Sequence, residues 1–331
     1  MQTRKLGTTR HTITPIGLGL AAIGRPGYIN LGHGDDLGGD HDVAAMQANA
    51  HLILDAAWDA GIRYFDAARS YGRAEEFLGN WLRSREIPLD AVTIGSKWGY
   101  TYTANWQIDA EHHEIKEHSI SVLDRQWTET QTHLSGFLDV YQIHSATLES
   151  GVLSNHRVLA RLAEHKARGT VIGLSVSGPK QADVLRRATV TRIDGARLFD
   201  TVQITWNLLE TSTTDALNEA KSAGMGVIVK EALANGRLTP KNDTPDFADQ
   251  FALLSREAKR LNTTVDALAL AAVMAQPWCD VVLSGAARVD HLQANVAAVN
   301  VQWDDEAANS LAGLVEPPPT YWGTRSALEW N

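Results

Sequence analysis

A single cysteine, Cys279, is all the chain carries, which rules out an intrachain disulfide and any cysteine-based zinc site. Such thiol scarcity fits a reducing compartment, and the expected location is cytoplasmic. No apolar run approaches the roughly 18 residues of a membrane span. The opening Met1-Gln2-Thr3-Arg4-Lys5-Leu6 lacks the apolar core of a signal peptide, so no membrane partner is expected. Concentrated positive charge is missing too: the net charge is -9 and the basic residues are scattered, which leaves no footprint for nucleic acid. No linker rich in Pro, Gly or Ser divides the 331 residues, so 1–331 is expected to form one domain. Barrels of this length are common.

What the chain does have is β then α, repeated. Apolar runs predict strands near residues 16–22, 62–66, 91–97, 138–144, 170–176, 201–206, 226–230 and 281–284, with amphipathic stretches between them. Runs such as Val171-Ile172-Gly173-Leu174 and Val227-Ile228-Val229 suit strands covered on both faces, as in parallel sheets. Arg4 to Leu6 and Thr12 to Ile16 read as a hairpin before the first strand. The fold class that accounts for eight such units is α/β, a (β/α)8 TIM barrel with a short N-terminal hairpin and long loops on its C-terminal face. Three segments exceed ordinary connections: 24–42, rich in Gly, Asp and His; 99–113, rich in aromatics; and the tail from Pro317. Long loops of this kind are usually functional.

Asp66, Tyr71, Lys97 and His144 each stand at or just past the C-terminal end of an apolar run, the face where barrel enzymes carry their chemistry. Gly17-Leu18-Gly19-Leu20-Ala21-Ala22 fits the dinucleotide fingerprint G-x-G-x-x-A, but no helical pattern resumes until about Val43, and that motif must open a helix. His113 and His118 resemble a zinc-protease pair, yet their spacing of five would set them about 140° apart on a helix. No strand ends in His-x-His either, so no metal site is expected, and the acidic loop 24–42 is read as hydrated.

Phe65-Asp66-Ala67-Ala68-Arg69-Ser70-Tyr71-Gly72 resembles the F-D-T-A-x-x-Y-G signature of the aldo-keto reductases, and Ser96-Lys97 and Gln142-Ile143-His144 continue the resemblance in order. Gly173-Leu174-Ser175-Val176-Ser177, Gln203-Ile204-Thr205-Trp206-Asn207 and Ser284-Gly285-Ala286 extend it over nearly the whole chain. The resemblance implies a barrel that binds a nicotinamide cofactor, usually NADPH, and reduces carbonyls to alcohols without metal. Chemistry agrees: hydride goes to carbon and a proton to oxygen, so a donor must face the developing alkoxide. Tyr71 is the candidate acid, Lys97 the cation expected to lower its pKa, Asp66 the anchor of that ammonium, and His144 the group that orients the carbonyl.

For the cofactor, the resemblance implies Ser177 and Gln203 at the carboxamide and Trp206 stacked on the nicotinamide. Leu233, Asn235, Gly236 and Arg237 would lie at the pyrophosphate. Gly285, Ala286, Arg288, His291 and Asn295 would lie at the adenosine end, with Arg288 favouring the 2'-phosphate of NADP. Ser177 is followed by Gly178 where the family has asparagine, which weakens the carboxamide clamp. Tyr28, Trp98 and Tyr100 are expected to wall the substrate, a small carbonyl compound or sugar. The reverse oxidation uses the same groups. The alternative is a cofactor-binding regulatory subunit resembling the potassium-channel β subunits. Oligomeric state is left open, a homo-oligomer being compatible with the sequence.

Overall fold

Eight short apolar runs close on themselves in the computed structural model, which describes all of residues 1–331. They are β1 (Ile16–Gly19), β2 (Tyr64–Asp66), β3 (Thr93–Trp98), β4 (Leu138–Ala146), β5 (Val171–Val176), β6 (Thr201–Thr205), β7 (Gly226–Lys230) and β8 (Val281–Ser284). Each pairs in parallel with its neighbours in chain order, and β8 pairs with β1 to complete the ring. The predicted barrel and its eight strands are all present. Ile16–Gly19 and Tyr64–Asp66 are shorter than the apolar runs that predicted them, while Thr93–Trp98 and Leu138–Ala146 run past their predicted ends.

Helices wrap the ring: α1 (Val43–Asp59), α2 (Ala74–Ser84), α3 (Ile120–Leu134), α4 (His156–Ala167), α5 (Gln181–Val190), α6 (Thr214–Ser222), α7 (Ala248–Arg260), α8 (Val265–Met274), α9 (Val289–Ala297), α10 (Asp305–Leu311) and α11 (Pro318–Ser326). Several begin where the sequence supplies a cap. The Asp42 carboxylate accepts from the Ala44 and Ala45 amides, and the Ser119 hydroxyl accepts from Val122, satisfying donors that a helix start otherwise leaves open.

Strand side chains alternate between the barrel interior and the helix layer. Outward residues such as Phe65, Tyr141 and Val229 join the large core between strands and helices. Inward residues of the lower layer, Tyr64, Val140, Val171, Ile228 and Val281, form a separate small core plugged by Leu6 and Ile13 of the N-terminal hairpin. That hairpin pairs Arg4–Lys5 with Thr12–Ile13. Above the plug the interior turns polar, and the next inward residues are Asp66, Lys97, Gln142 and Gln203.

The long segments fold over this upper end. Residues Tyr100–Tyr102 pair antiparallel with Glu114–Lys116, so the stretch containing His113 and His118 is a hairpin arm rather than a helix. The helical spacing argument therefore does not apply to it. The loop 24–42, with a helical turn at His33–Asp36, is tied to the chain's last residue: the Asn331 side chain accepts from the His33 and Gly34 amides, and Tyr28 and Asn331 exchange backbone hydrogen bonds.

Candidate active site

Asp66 ends β2 with its side chain inside the ring, opposite Gly95 in the register of β2 with β3. A Cβ at Gly95 would stand 2.6 Å from the Tyr64 hydroxyl and 3.1 Å from Asp66 Oδ1, so the carboxylate has room only because this residue has no side chain. Two residues further along β3, Lys97 faces the same interior and is fully buried. Its ammonium donates to Asp66 Oδ2, to the Ala67 carbonyl at 2.9 Å and to the Tyr71 hydroxyl oxygen at 3.3 Å. Three N–H groups meet three acceptors. Asp66 Oδ1 also accepts from Gln203 at 2.9 Å and Gln142 at 3.2 Å, so the buried pair carries the added hydrogen bonds that such pairs require.

Tyr71 reaches Lys97 through a pinned turn. Ala67 and Arg69 donate their amides to the Gly95 and Lys97 carbonyls of β3. Gly72, at φ 58°, reverses the chain where a Cβ would meet the Gly24 carbonyl at 2.5 Å. His144 enters from β4 at a register shift against β5 between Ile143 and Ala146, with Ser145 at φ 48°. Such a bulge re-aims the adjacent side chain. The imidazole packs edge-on to Tyr71, with ring centroids 5.5 Å apart, and its Nδ1 lies 3.4 Å from the Ser70 hydroxyl. With Ser70 donating there, the proton is on Nε2, which no protein atom engages.

All four expected catalytic residues meet in one place. Asp66, Tyr71 and His144 open on a cavity of about 700 Å³, and Lys97 lies just beneath. Burial and the charges of Lys97, Arg25 and Lys230 push the His144 pKa well below its usual value, so the ring is neutral. Burial and the Asp66 carboxylate raise the Tyr71 phenol well above its usual value, against an opposing pull from Arg25. The expectation that Lys97 lowers the Tyr71 pKa is not met in the free protein, where desolvation and then the Asp66 carboxylate raise it. Tyr71 holds its proton, and since Lys97 donates to its oxygen, that proton is not consumed by the pair.

The family model described as Aldo/keto reductase family matches residues 16–316. The chain belongs to this family. Among curated relatives it is similar to the aldo-keto reductase str7 of Strobilurus tenacellus, 23% identical over 96% of this chain and 92% of that one. It is also similar to pyridoxal 4-dehydrogenase of Microbacterium luteolum, 26% identical over 80% of each. Among solved structures, an aldo-keto reductase from Bacillus halodurans in its holo form superposes with a TM-score of 0.73 at 20% identity, covering 96% of this chain and 97% of the other. Family membership makes the chain an oxidoreductase of carbonyl chemistry, and no helix is long and apolar enough to cross a membrane.

In this aldo-keto reductase the cavity continues from Tyr71 past the ends of β6, β7 and β8. Ser177, Gln203, Leu233, Asn235 and Gly236 line it, as do Gly285, Ala286, His291 and Asn295. Ala234, Asn235 and Gly236 all have positive φ, which turns this short loop toward the cavity. It is also bonded to loop 24–42: Asn235 donates its side-chain amide to the Ile29 carbonyl and accepts from Leu31 at its own carbonyl. The Asn295 amide donates to the Ser284 hydroxyl at 2.8 Å.

Four expected positions lie elsewhere. Trp206 follows the inward Thr205, so it faces outward. There its indole donates to Thr214 at 2.9 Å and packs against Trp278, and it cannot stack on a ligand in the cavity. Trp98 follows the inward Lys97 and is likewise buried in the helix layer, beside His118. Arg237 turns away into an ion pair with Glu316. Arg288 pairs with Asp290 and borders a smaller adjoining cavity of about 360 Å³, shared with Lys241, Asp36 and His291.

Tyr28 and Tyr100 do line the main cavity, joined by Trp330. Sequence reasoning missed Arg25, which is buried and donates to the Ser70 carbonyl and to Glu114, both at 2.9 Å. Its guanidinium stands 5.3 Å from the Tyr71 ring and 4.7 Å from that of Trp330. Lys230 and Glu231 were missed as well, though Lys230 ends an apolar run as Lys97 does.

Proposed function

We propose that the chain reduces an aldehyde or ketone to the alcohol by direct hydride transfer from NADPH, with Tyr71 as proton donor, and that it catalyses the reverse oxidation through the same groups. The single observation that carries this reading is the Tyr71 hydroxyl, 3.3 Å from the Lys97 ammonium and facing a cavity beside a neutral His144. The bound dinucleotide supplies a hydride to the carbonyl carbon. The chain's own task is the oxygen. His144 Nε2–H and the Tyr71 hydroxyl both donate to it, which holds the carbonyl in place and stabilises the charge that develops there. As the Tyr71 proton moves to that oxygen, the phenolate left behind is stabilised by Lys97, already in hydrogen-bond contact. A lysine that had to neutralise Asp66 alone would do this less well, so the Gln142 and Gln203 amides on Asp66 matter to the step.

The residues present fit a nicotinamide dinucleotide. The cavity is long and lined by backbone at Gly285, where nothing lies within 4 Å of a Cβ position. The buried Asn235 Oδ1 has no protein partner, and Gln203 gives only its amide nitrogen to Asp66. Asn235 and Gln203 would thus offer acceptor oxygens to ribose hydroxyl and carboxamide groups. For NADP, the second cavity supplies Lys241, Arg288 and His291 for a 2'-phosphate, although Asp36 and Asp290 already pair with the first two. A phosphate that displaces those carboxylates binds against competition. Arg288→Ala is therefore expected to reduce the ratio of kcat/KM for NADPH to that for NADH by about tenfold, measured with one aldehyde. An unchanged ratio would remove Arg288 from cofactor selection.

The pKa directions set the pH dependence. Raised Tyr71 stays protonated as pH climbs and lowered His144 stays neutral as pH falls. For a neutral aldehyde, kcat for reduction is expected to stay level between about pH 6.5 and pH 9, inside the ordinary His and Tyr values. Oxidation needs the phenolate and should rise with pH across that range. A reductive profile falling with a midpoint near pH 8 would contradict the assignment.

A further inference from the structure

Charges around the cavity pair one to one, except that near the chemistry two cations share one carboxylate. Arg25 meets Glu114 at 2.9 Å, Lys97 meets Asp66, Lys241 meets Asp36 at 2.5 Å, and Arg325 of α11 meets Glu231 at 2.6 Å. Asp266, unmatched, lies in the first turn of α8, where a helix N-terminus favours a carboxylate. Lys230 is different. Ile228 belongs to the inward plug, so the pleat carries Lys230 inward at the upper end of β7, where it lines the cavity. Its ammonium donates to the Thr205 hydroxyl at 2.7 Å. The only carboxylate near it, Glu231, is 3.6 Å away and already takes two hydrogen bonds from Arg325 and one from Thr205. One of three N–H donors is used.

A half-buried ammonium that shares its one carboxylate with Arg325 keeps donors free toward the cavity, where an anionic ligand would complete them. Lys230 sits at the catalytic end: it lies opposite Thr205 in the register of β6 with β7 and lines the cavity together with Tyr71 and His144. The dinucleotide's adenosine-end candidates, Gly285 to Asn295, belong to β8 and α9. We infer that Lys230 binds an anionic substituent of the substrate, so that the enzyme favours carbonyl compounds carrying a carboxylate or comparable anion away from the reacting carbon. This rests on the carbonyl-reductase reading of the same cavity. Burial, with Arg325 and Lys97 adding to it and Glu231 opposing, brings the free lysine to a pKa of about 8. An anion binds the charged form, so affinity falls as pH rises through that value.

The test uses the full chain with saturating NADPH and a matched alcohol pair, 4-(hydroxymethyl)benzoate and 4-(hydroxymethyl)benzamide, which the reduced cofactor cannot turn over, titrated by calorimetry. The parent is expected to bind the benzoate at least about tenfold more tightly, a step of about 1.4 kcal/mol. Lys230→Met should erase that preference. Lys230→Arg should keep it, and keep it at about pH 9, where the parent has lost most of it, because guanidinium does not deprotonate there. Thermal melts show whether each variant is folded. No preference in the parent, an undiminished one in folded Lys230→Met, or a loss confined to NADP affinity would each overturn the inference. Turnover of 4-formylbenzoate and 4-formylbenzamide with NADPH separates the two readings. A Lys230-dependent binding preference with neither aldehyde reduced would sink the reductase reading and leave the anion site standing.

Discussion

Tyr71→Phe is expected to lower kcat for carbonyl reduction about 10²- to 10⁴-fold, the range that a positioned general acid supplies. The ring still fills its place against His144 and beneath Arg25, so the substitution removes a proton donor and little packing. Dinucleotide affinity should stay close to the parent's, because nothing assigned to the cofactor is changed. Following NADPH absorbance in steady state and NADPH binding by fluorescence separates the two effects. A variant that reduces aldehydes as fast as the parent would show that another group delivers the proton, and Lys230 would be the next to examine. A slow variant with intact binding is also what distinguishes an enzyme from a subunit that only holds cofactor.

Lys97→Met should cost both activity and stability. The Asp66 carboxylate, nearly inaccessible to solvent, would keep its two glutamine donors and lose its counter-charge. Breaking one side of a buried ion pair costs about 3–5 kcal/mol. At about 2 °C per kcal/mol for a chain this long, the melting temperature should fall by about 6–10 °C. Tyr71 would lose the ammonium that stabilises its phenolate, so kcat should fall by at least about 10²-fold. Pairing the change with Asp66→Asn removes the orphaned charge, and the double variant should regain part of the stability but none of the rate. Calorimetric melts of the two single variants and the double variant check this. A Lys97→Met protein melting with the parent would mean that the pair is not desolvated as described.

Much of this was legible in the sequence because a barrel converts a one-dimensional rule into a place. An ionisable residue at the C-terminal end of an apolar run arrives at one common face, and Asp66, Tyr71, Lys97 and His144 did so. The misplacements come from the rule of alternation. Lys97 faces in, so Trp98 cannot; Gln203 and Thr205 face in, so Trp206 cannot. The same count, carried along Gly226-Val227-Ile228-Val229-Lys230, would have brought Lys230 into the site beside them. Other features had no local signal. Arg25 comes from a loop whose path depends on Asn331 at the far end of the chain and on Asn235 after β7. The Tyr71 pKa is raised by desolvation and the Asp66 carboxylate against Arg25, and residue types alone give neither the burial nor the approach of a residue from a distant loop.

The measurement that bears most directly on the account is a crystal structure of the chain with NADP and an unreactive carbonyl ligand, read for two distances from the ligand's carbonyl oxygen. Both the Tyr71 hydroxyl and His144 Nε2 are expected within hydrogen-bond reach, about 2.6–3.2 Å, with the nicotinamide carbon against the carbonyl carbon. A carbonyl oxygen bound instead at Lys230 or Arg25, with Tyr71 turned from it, would contradict the assignment of Tyr71 as the acid.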